Sequence, residues 1–370
     1  MAVFLAVGCY NKGPYTPEPQ KDSVFIVKLD TIKESGKLSV VSKYDDLDNA
    51  SYFARSDDRL FVVSEEEKSS SICQFRIRRF EARSIDCGKI EQTPLLEFEK
   101  KIDFDDGGAC FLSVENLMDE TKRIAVACYD SGVLRTFRSN RNELNEEARI
   151  KFEYCVDEAS ERQEAPHAHC VVKVGDEEGA LALVDLGADR IYQVKASVSA
   201  LSVVPEAHFS APPKSGPRHL VFHPTKFLGF LILELSNEIL VVSGDLSKSI
   251  QRISLLDPPG NTVNEPSCEI QAAAHLAISN DGKFVLCSNR GKINNIIVFK
   301  IDENTGKLEF VDCLKTGNFP RFFQLVEDRF LIVANQKTNN LQVFSFDHGK
   351  IGKTSLSNLE LISPVCIQIL

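Results

Sequence analysis

Short apolar runs separated by polar turns recur along the whole chain. None continues into the three-and-four spacing of an amphipathic helix, so the pattern predicts strands throughout. One unit repeats: an apolar strand, a polar turn, a second apolar strand ending in a polar residue, then a third and a fourth strand. Its clearest copies are Pro217-Arg-His-Leu-Val-Phe-His-Pro224 followed by Leu228–Glu234, and Ala273-Ala-His-Leu-Ala-Ile-Ser279 followed by Lys283–Asn289. The turn Asn280-Asp-Gly282 separates the second pair, as hairpin chemistry requires.

First strands of this kind are predicted at Ala50–Arg55, Gly108–Val114, His167–Val174, Pro217–Phe222, Ala273–Ser279, Pro320–Val326 and Pro364–Leu370. Second strands are predicted at Val3–Cys9, Leu60–Glu65, Ile124–Tyr129, Leu181–Asp185, Leu228–Glu234, Phe284–Asn289 and Phe330–Asn335, with ends 46 to 64 residues apart. Seven matched units at that spacing predict an all-β, seven-bladed β-propeller over residues 1–370, in preference to a β-sandwich. The chain opens on a second strand and closes on a first strand. Ser363–Leu370 is therefore expected innermost in the blade whose other strands are N-terminal, which pairs the chain ends and removes the open edges of the ring. Tryptophan is absent, so the blades are not of the Trp-Asp repeat kind.

The net charge of −10 argues against a nucleic-acid or anionic-membrane partner but leaves room for a small anionic ligand. Such a ligand needs only two or three local cations. No apolar run approaches the ~20 residues of a membrane span, and Met1–Val7 lacks the basic residues of a signal peptide, so it reads as a strand. Eleven cysteines, an odd number with no Cys-x-x-Cys pair, predict reduced thiols in the cytosol. Most, including Cys110, Cys128, Cys170 and Cys287, read as small buried hydrophobes.

Propeller geometry gathers distant residues. First-strand starts and second-strand ends lie on one face of the ring, which collects His167, His169, Arg218, His219, His275 and Arg321 with Glu65, Tyr129, Asp185, Glu234, Asn289, Arg290 and Asn335. An imidazole or carboxylate can activate water, and arginines can hold an anion and a developing oxyanion, so the set suits an ester or lactone. No Gly-x-Ser-x-Gly elbow is present, and covalent acyl transfer is not favoured. His167 and His169 have no evident third ligand, so neither a metal nor another cofactor is expected. Asp185 opens Asp-Leu-Gly-Ala-Asp189, which also makes a good hairpin turn; His223, His208 and His348 read as structural or outlying. Glu234 follows Phe230-Leu-Ile-Leu233, where a carboxylate requires a cationic partner such as Arg218.

The motifs Pro166-His-Ala-His169, Asp185-Leu-Gly-Ala-Asp-Arg190, Gly216-Pro-Arg-His219, Glu234-Leu-Ser236, Ser288-Asn-Arg-Gly291, Phe319-Pro-Arg321 and Ala334-Asn-Gln336 together resemble the seven-bladed lactonase family. That family includes bacterial 6-phosphogluconolactonases and fungal carboxy-muconate lactonizing enzymes. The resemblance implies catalytic roles for His167 or His169, Arg218, Glu234 and Arg290; the rim geometry adds His219, His275, Arg321, Asn289, Asn335, Glu65 and Asp185 as expected substrate contacts. It departs from the family at His275, where an acidic residue is usual, and in the N-terminal third, where the acidic Ile90–Asp106 segment is expected as an elaborated outer loop. The implied activity is metal-independent, cytoplasmic hydrolysis of a sugar-acid lactone such as 6-phosphogluconolactone. A muconate-type cyclase acting on a carboxylate, or a non-enzymatic binding propeller, are the alternatives.

Overall fold

A computed structural model describes residues 2–32, 35–83, 90–140, 143–154, 156, 162–256 and 271–370. Seven antiparallel sheets follow one another around a ring. Blade 2 runs Ala50–Ser56, Arg59–Ser64, Ser70–Arg83, Ile90–Phe104, and blade 3 runs Ala109–Asn116, Lys122–Cys128, Val133–Ser139, Leu144–Lys151. Blade 4 comprises Ala168–Lys173, Ala180–Asp185, Arg190–Ala196 and Leu201–Ser210; blade 5 comprises Pro217–Phe222, Leu228–Leu233, Glu238–Ser243 and Ser249–Ser254. Blade 6 comprises Ala272–Ile278, Phe284–Arg290, Asn295–Ile301 and Leu308–Lys315; blade 7 comprises Pro320–Val326, Phe330–Asn335 and Asn340–Asp347, edged by Lys350–Ile351 and Ser357–Glu360. In every blade the strands follow one another from the channel outward in this order, and neighbouring innermost strands touch in a closed cycle.

Blade 1 closes the ring from both ends of the chain. Pro364–Ile369 is its innermost strand and pairs antiparallel with Ala2–Cys9, from Leu5 opposite Ile369 to Gly8 opposite Cys366; Val24–Asp30 and Lys37–Tyr44 complete the blade. The predicted register of the repeat, phase included, is the observed one. Second strands carry the core: Leu60–Val63, Ile124–Cys128, Leu231–Leu233 and Leu331–Ala334 are almost wholly buried, because both faces of a middle strand pack against adjacent blades.

The Ile90–Asp106 segment is not a loop, which corrects the expectation. Ile90–Phe104 is a long outermost strand that pairs with Ser70–Arg83 from Ser70 opposite Phe104 to Arg83 opposite Ile90. Its acids are partners for the arginines facing them: Arg78 Nε is 2.7 Å from Glu97, and Arg76 Nε is 2.6 Å from Glu99. Both pairs run diagonally across the ladder, since Arg76 stands opposite Glu97 and Arg78 opposite Leu95, a reach that long side chains span. Composition had suggested a loop; pairing makes a strand.

Eight described cysteines are free, seven of them buried. Burial pushes the thiols of Cys73, Cys170 and Cys366 up to about 12. Cys87, Cys155 and Cys268 lie outside the described residues. Among the described residues no helix is long and apolar enough to cross a membrane.

Candidate active site

In every blade the pairing of the innermost strand with the second strand slips at the same end of the ring. The residues skipped by the ladder are Val365, Ser51, Cys110, His169, Arg218, Ala274 with His275, and Arg321. A bulge frees one residue from its ladder and re-aims its side chain. These residues reach toward the next blade: Ser51 Oγ donates to Ala109 O (2.8 Å), Cys110 Sγ to His169 O (3.5 Å), and Arg218 Nη1 to Ala274 O (2.5 Å). Four candidate site residues, His169, Arg218, His275 and Arg321, owe their position to this device.

A second ring comes from the residues that close the second strands. The amides of Tyr10, Glu65, Tyr129, Leu186, Glu234 and Gln336 each donate to a carbonyl at the start of the adjoining innermost strand; Arg290, opposite Ala272, takes this position in blade 6. Strand side chains alternate faces, so the residue one step earlier points the other way. Asp185, Asn289 and Asn335 stand at that earlier step and are fully buried. Asp185 accepts from the amides of His167 (2.7 Å) and Ala188 (3.0 Å). Asn289 donates to Leu255 O, and Asn335 to Asn340 and Gln342. These three, expected from the sequence as substrate contacts, are bonded to protein: Asp185 and Asn335 within their own blades, and Asn289 across to Leu255 at the end of blade 5.

Glu234 is the centre of the rim. Its side chain is 1 % exposed and meets three guanidiniums: Arg218 Nε at 2.8 Å, Arg162 Nη2 at 3.0 Å and Arg290 Nη2 at 3.1 Å. Burial works to raise its pKa, but the attraction of Arg290, Arg218 and Arg162 prevails and holds the carboxyl well below the usual range. Burial, aided by the neighbouring Arg218 and Arg321, pushes Arg290 down to about 9 despite Glu234. Cations outnumber their counter-charge here. Arg321, the fourth guanidinium, lies 3.7 Å from Glu65 and 5.3 Å over the Tyr10 ring, and Tyr10 Oη donates to Glu65 at 2.6 Å.

The two histidines of the Pro166-His-Ala-His169 motif separate. His167 has both ring nitrogens engaged, Nδ1 with Tyr129 O (3.0 Å) and Nε2 with Glu164 (3.1 Å), and its ring stacks on Tyr129. His169 lies in the bulge, edge-on to Tyr129 and His219, with Nδ1 3.8 Å from Cys110 Sγ. Burial, with help from Arg218, drops its pKa well below 6.5, which favours the neutral ring.

Below the arginines the channel is plugged by rings. His219 sits edge-on to Tyr52, Phe111 and His275, and His275 stacks on Phe322 at 3.9 Å. Arg218 Nη1 lies 2.9 Å from His219 Nε2, and His219 Nδ1 lies 3.2 Å from His275 Nδ1. An arginine can only donate, so His219 Nε2 accepts, Nδ1 carries the proton, and His275 Nδ1 accepts in turn. His219 and His275 therefore orient Arg218 from beneath.

Sequence reasoning missed Arg162 and Tyr10. Tyr10 follows the second strand of blade 1, so the rule that found Glu65 and Glu234 also reaches it. Arg162 lies on the connection between blades 3 and 4, where no periodicity marks it; its Nη2 donates to Tyr129 Oη and to Glu234, both at 3.0 Å. Among the described residues no group of three or more His, Cys, Asp or Glu side chains could hold a metal ion.

A family model described as "Lactonase, 7-bladed beta-propeller" matches residues 4–369. The chain is 27% identical to a 6-phosphogluconolactonase of Bacillus subtilis, over 98% of this chain and 97% of that protein. Its fold is similar to a periplasmic gluconolactonase of Pseudomonas aeruginosa (TM-score 0.80, 24% identity, 100% of this chain and 99% of the other). It is also similar to a protein from Lactobacillus plantarum (TM-score 0.79, 23% identity, all of both chains).

Proposed function

Since the chain belongs to the seven-bladed β-propeller lactonase family, we propose that it hydrolyses the lactone of an anionic sugar acid, with 6-phosphogluconolactone as the substrate. The observation that carries this reading is the convergence of Arg162, Arg218 and Arg290 on one buried carboxylate, beside Arg321 and a neutral His169. Water adds to the lactone carbonyl and the ring C–O bond breaks, giving the open acid and an alcohol. His169 accepts the proton of the attacking water and returns it to the departing alkoxide. Arg218 and Arg290 stabilise the oxyanion. Glu234, held ionised by three guanidiniums, is a poor base, and its part is to fix the arginines. No step in this scheme requires a metal ion. The free thiols support a cytoplasmic setting.

The purified protein, assayed with spontaneous hydrolysis subtracted, is expected to accelerate opening of 6-phosphogluconolactone equally with and without chelator. Arg218→Ala should lower kcat/KM roughly 10²-fold. Activity on muconates alone would establish the cyclase instead, and no rate above background on any aldonolactone would end the hydrolytic reading.

The pH profile follows from His169. Its pKa is depressed, so the neutral, proton-accepting form persists below 6.5 and is lost only on further acidification. The acid limb of kcat/KM should therefore fall below pH 6.5, and a limb centred at or above that value removes His169 as the base.

A further inference from the structure

Arg162 differs from the other arginines of the bowl in origin and in cover. Arg218, Arg290 and Arg321 stand on strands, with side chains 3 %, 7 % and 18 % exposed; Arg162 stands on a loop and is 41 % exposed. Nε and Nη2 of Arg162 donate to Tyr129 Oη at 3.2 and 3.0 Å, and Nη2 also reaches Glu234. Nη1 has no hydrogen-bond partner among the described residues, so one edge of a fixed guanidinium fork is left for a ligand.

Charge sets the kind of ligand. Within the ion pairs of the bowl, four guanidiniums (Arg162, Arg218, Arg290, Arg321) share two carboxylates (Glu234, Glu65), a local excess of two positive charges. A phosphate monoester carries about −1.5 to −2 at neutral pH and matches that surplus; a neutral sugar does not. Acids line the neighbouring rim: Glu65, Glu66, Glu67 and Asp130 follow the second strands of blades 2 and 3, and Asp130 adjoins Tyr129, the partner of Arg162. Burial and the charge of Glu65 push Asp130 up to about 6.

We propose that Arg162 is the residue that selects phosphorylated over neutral sugar lactones, its open Nη1 edge receiving the phosphate while Tyr129 and Glu234 hold the fork in place. The assignment rests on the lactonase reading of the bowl for its substrate class, but the phosphate contact can be tested without turnover.

The test measures binding of 6-phosphogluconate and of gluconate by calorimetry, and kcat/KM on 6-phosphogluconolactone and on glucono-δ-lactone, for wild type and Arg162→Gln. Wild type should prefer the phosphorylated ligand in both measurements. In Arg162→Gln that preference should shrink by roughly 10- to 100-fold, through KM more than kcat, as for the loss of one hydrogen bond to a charged group. Tyr129→Phe, which removes the hydroxyl that orients the fork, should shift the preference the same way. A merely structural role would weaken both ligands alike, and an unchanged preference overturns the proposal. Preferential binding without any lactone hydrolysis would sink the hydrolytic reading and leave Arg162 as the phosphate contact.

Discussion

Replacing Glu234 with glutamine is expected to lower kcat/KM by roughly 10²-fold or more and to destabilise the protein by about 3–5 kcal/mol. The substitution changes almost no volume, so the effect is one of charge. Glu234 and Arg218 are both nearly excluded from water, and Arg162 and Arg290 close on the same carboxylate. Without its charge three guanidiniums repel one another, two of them buried, and removal of one partner from a buried ion cluster leaves charge uncompensated. Urea titration followed by circular dichroism measures the loss. Its pH dependence has a definite sign. The folded pKa lies below the ordinary 4.5, so the carboxylate's contribution is complete above pH 4.5 and is lost as pH falls toward the folded value. The gap between wild type and Glu234→Gln should therefore be constant from pH 5 to 7 and narrow on further acidification. A folded variant with wild-type stability and turnover would show that the arginines hold their places without the carboxylate.

The same cluster marks the limit of what the sequence discloses. The blades are legible because each copy repeats one alternation of apolar and polar residues, and the face of the site follows from strand direction alone. The need of Glu234 for a cation is also legible, since Phe230-Leu-Ile-Leu233 offers a carboxylate no water. The bulges are not legible: no residue type announces that the ladder slips before His169 or Arg218, yet the slip brings both into the channel. Placing strand ends to within one residue is likewise insufficient. Asp185, Asn289 and Asn335 stand one step short of the rim, and one step in a strand is the opposite face. Arg162 belongs to no repeat, so only the folded chain carries it to Glu234. In Ile90–Phe104 acidic composition concealed a strand whose partners, Arg76 and Arg78, lie on the facing strand.

Deleting Ser363–Leu370 is expected to abolish soluble folded protein. The strand Pro364–Ile369 is the inner wall of blade 1 and touches the innermost strands of blades 2 and 7 as well as Ala2–Cys9. Its removal exposes the faces that Val365, Cys366, Ile367 and Leu370 bury, and it leaves the inner edge of Ala2–Cys9 unpaired toward the channel. It also frees the rim, because Tyr10 N donates to Ser363 O while Tyr10 Oη holds Glu65, the partner of Arg321. Closure of the ring and the charge balance of the bowl thus depend on the same few residues. A gentler probe keeps the strand: Ile367→Ala should destabilise by about 2–5 kcal/mol, as for other buried large-to-alanine changes, with a matching fall in Tm. A truncated chain that stays monomeric and melts cooperatively would mean that Ala2–Cys9 can form the inner edge of blade 1 alone, and the closure would then be dispensable.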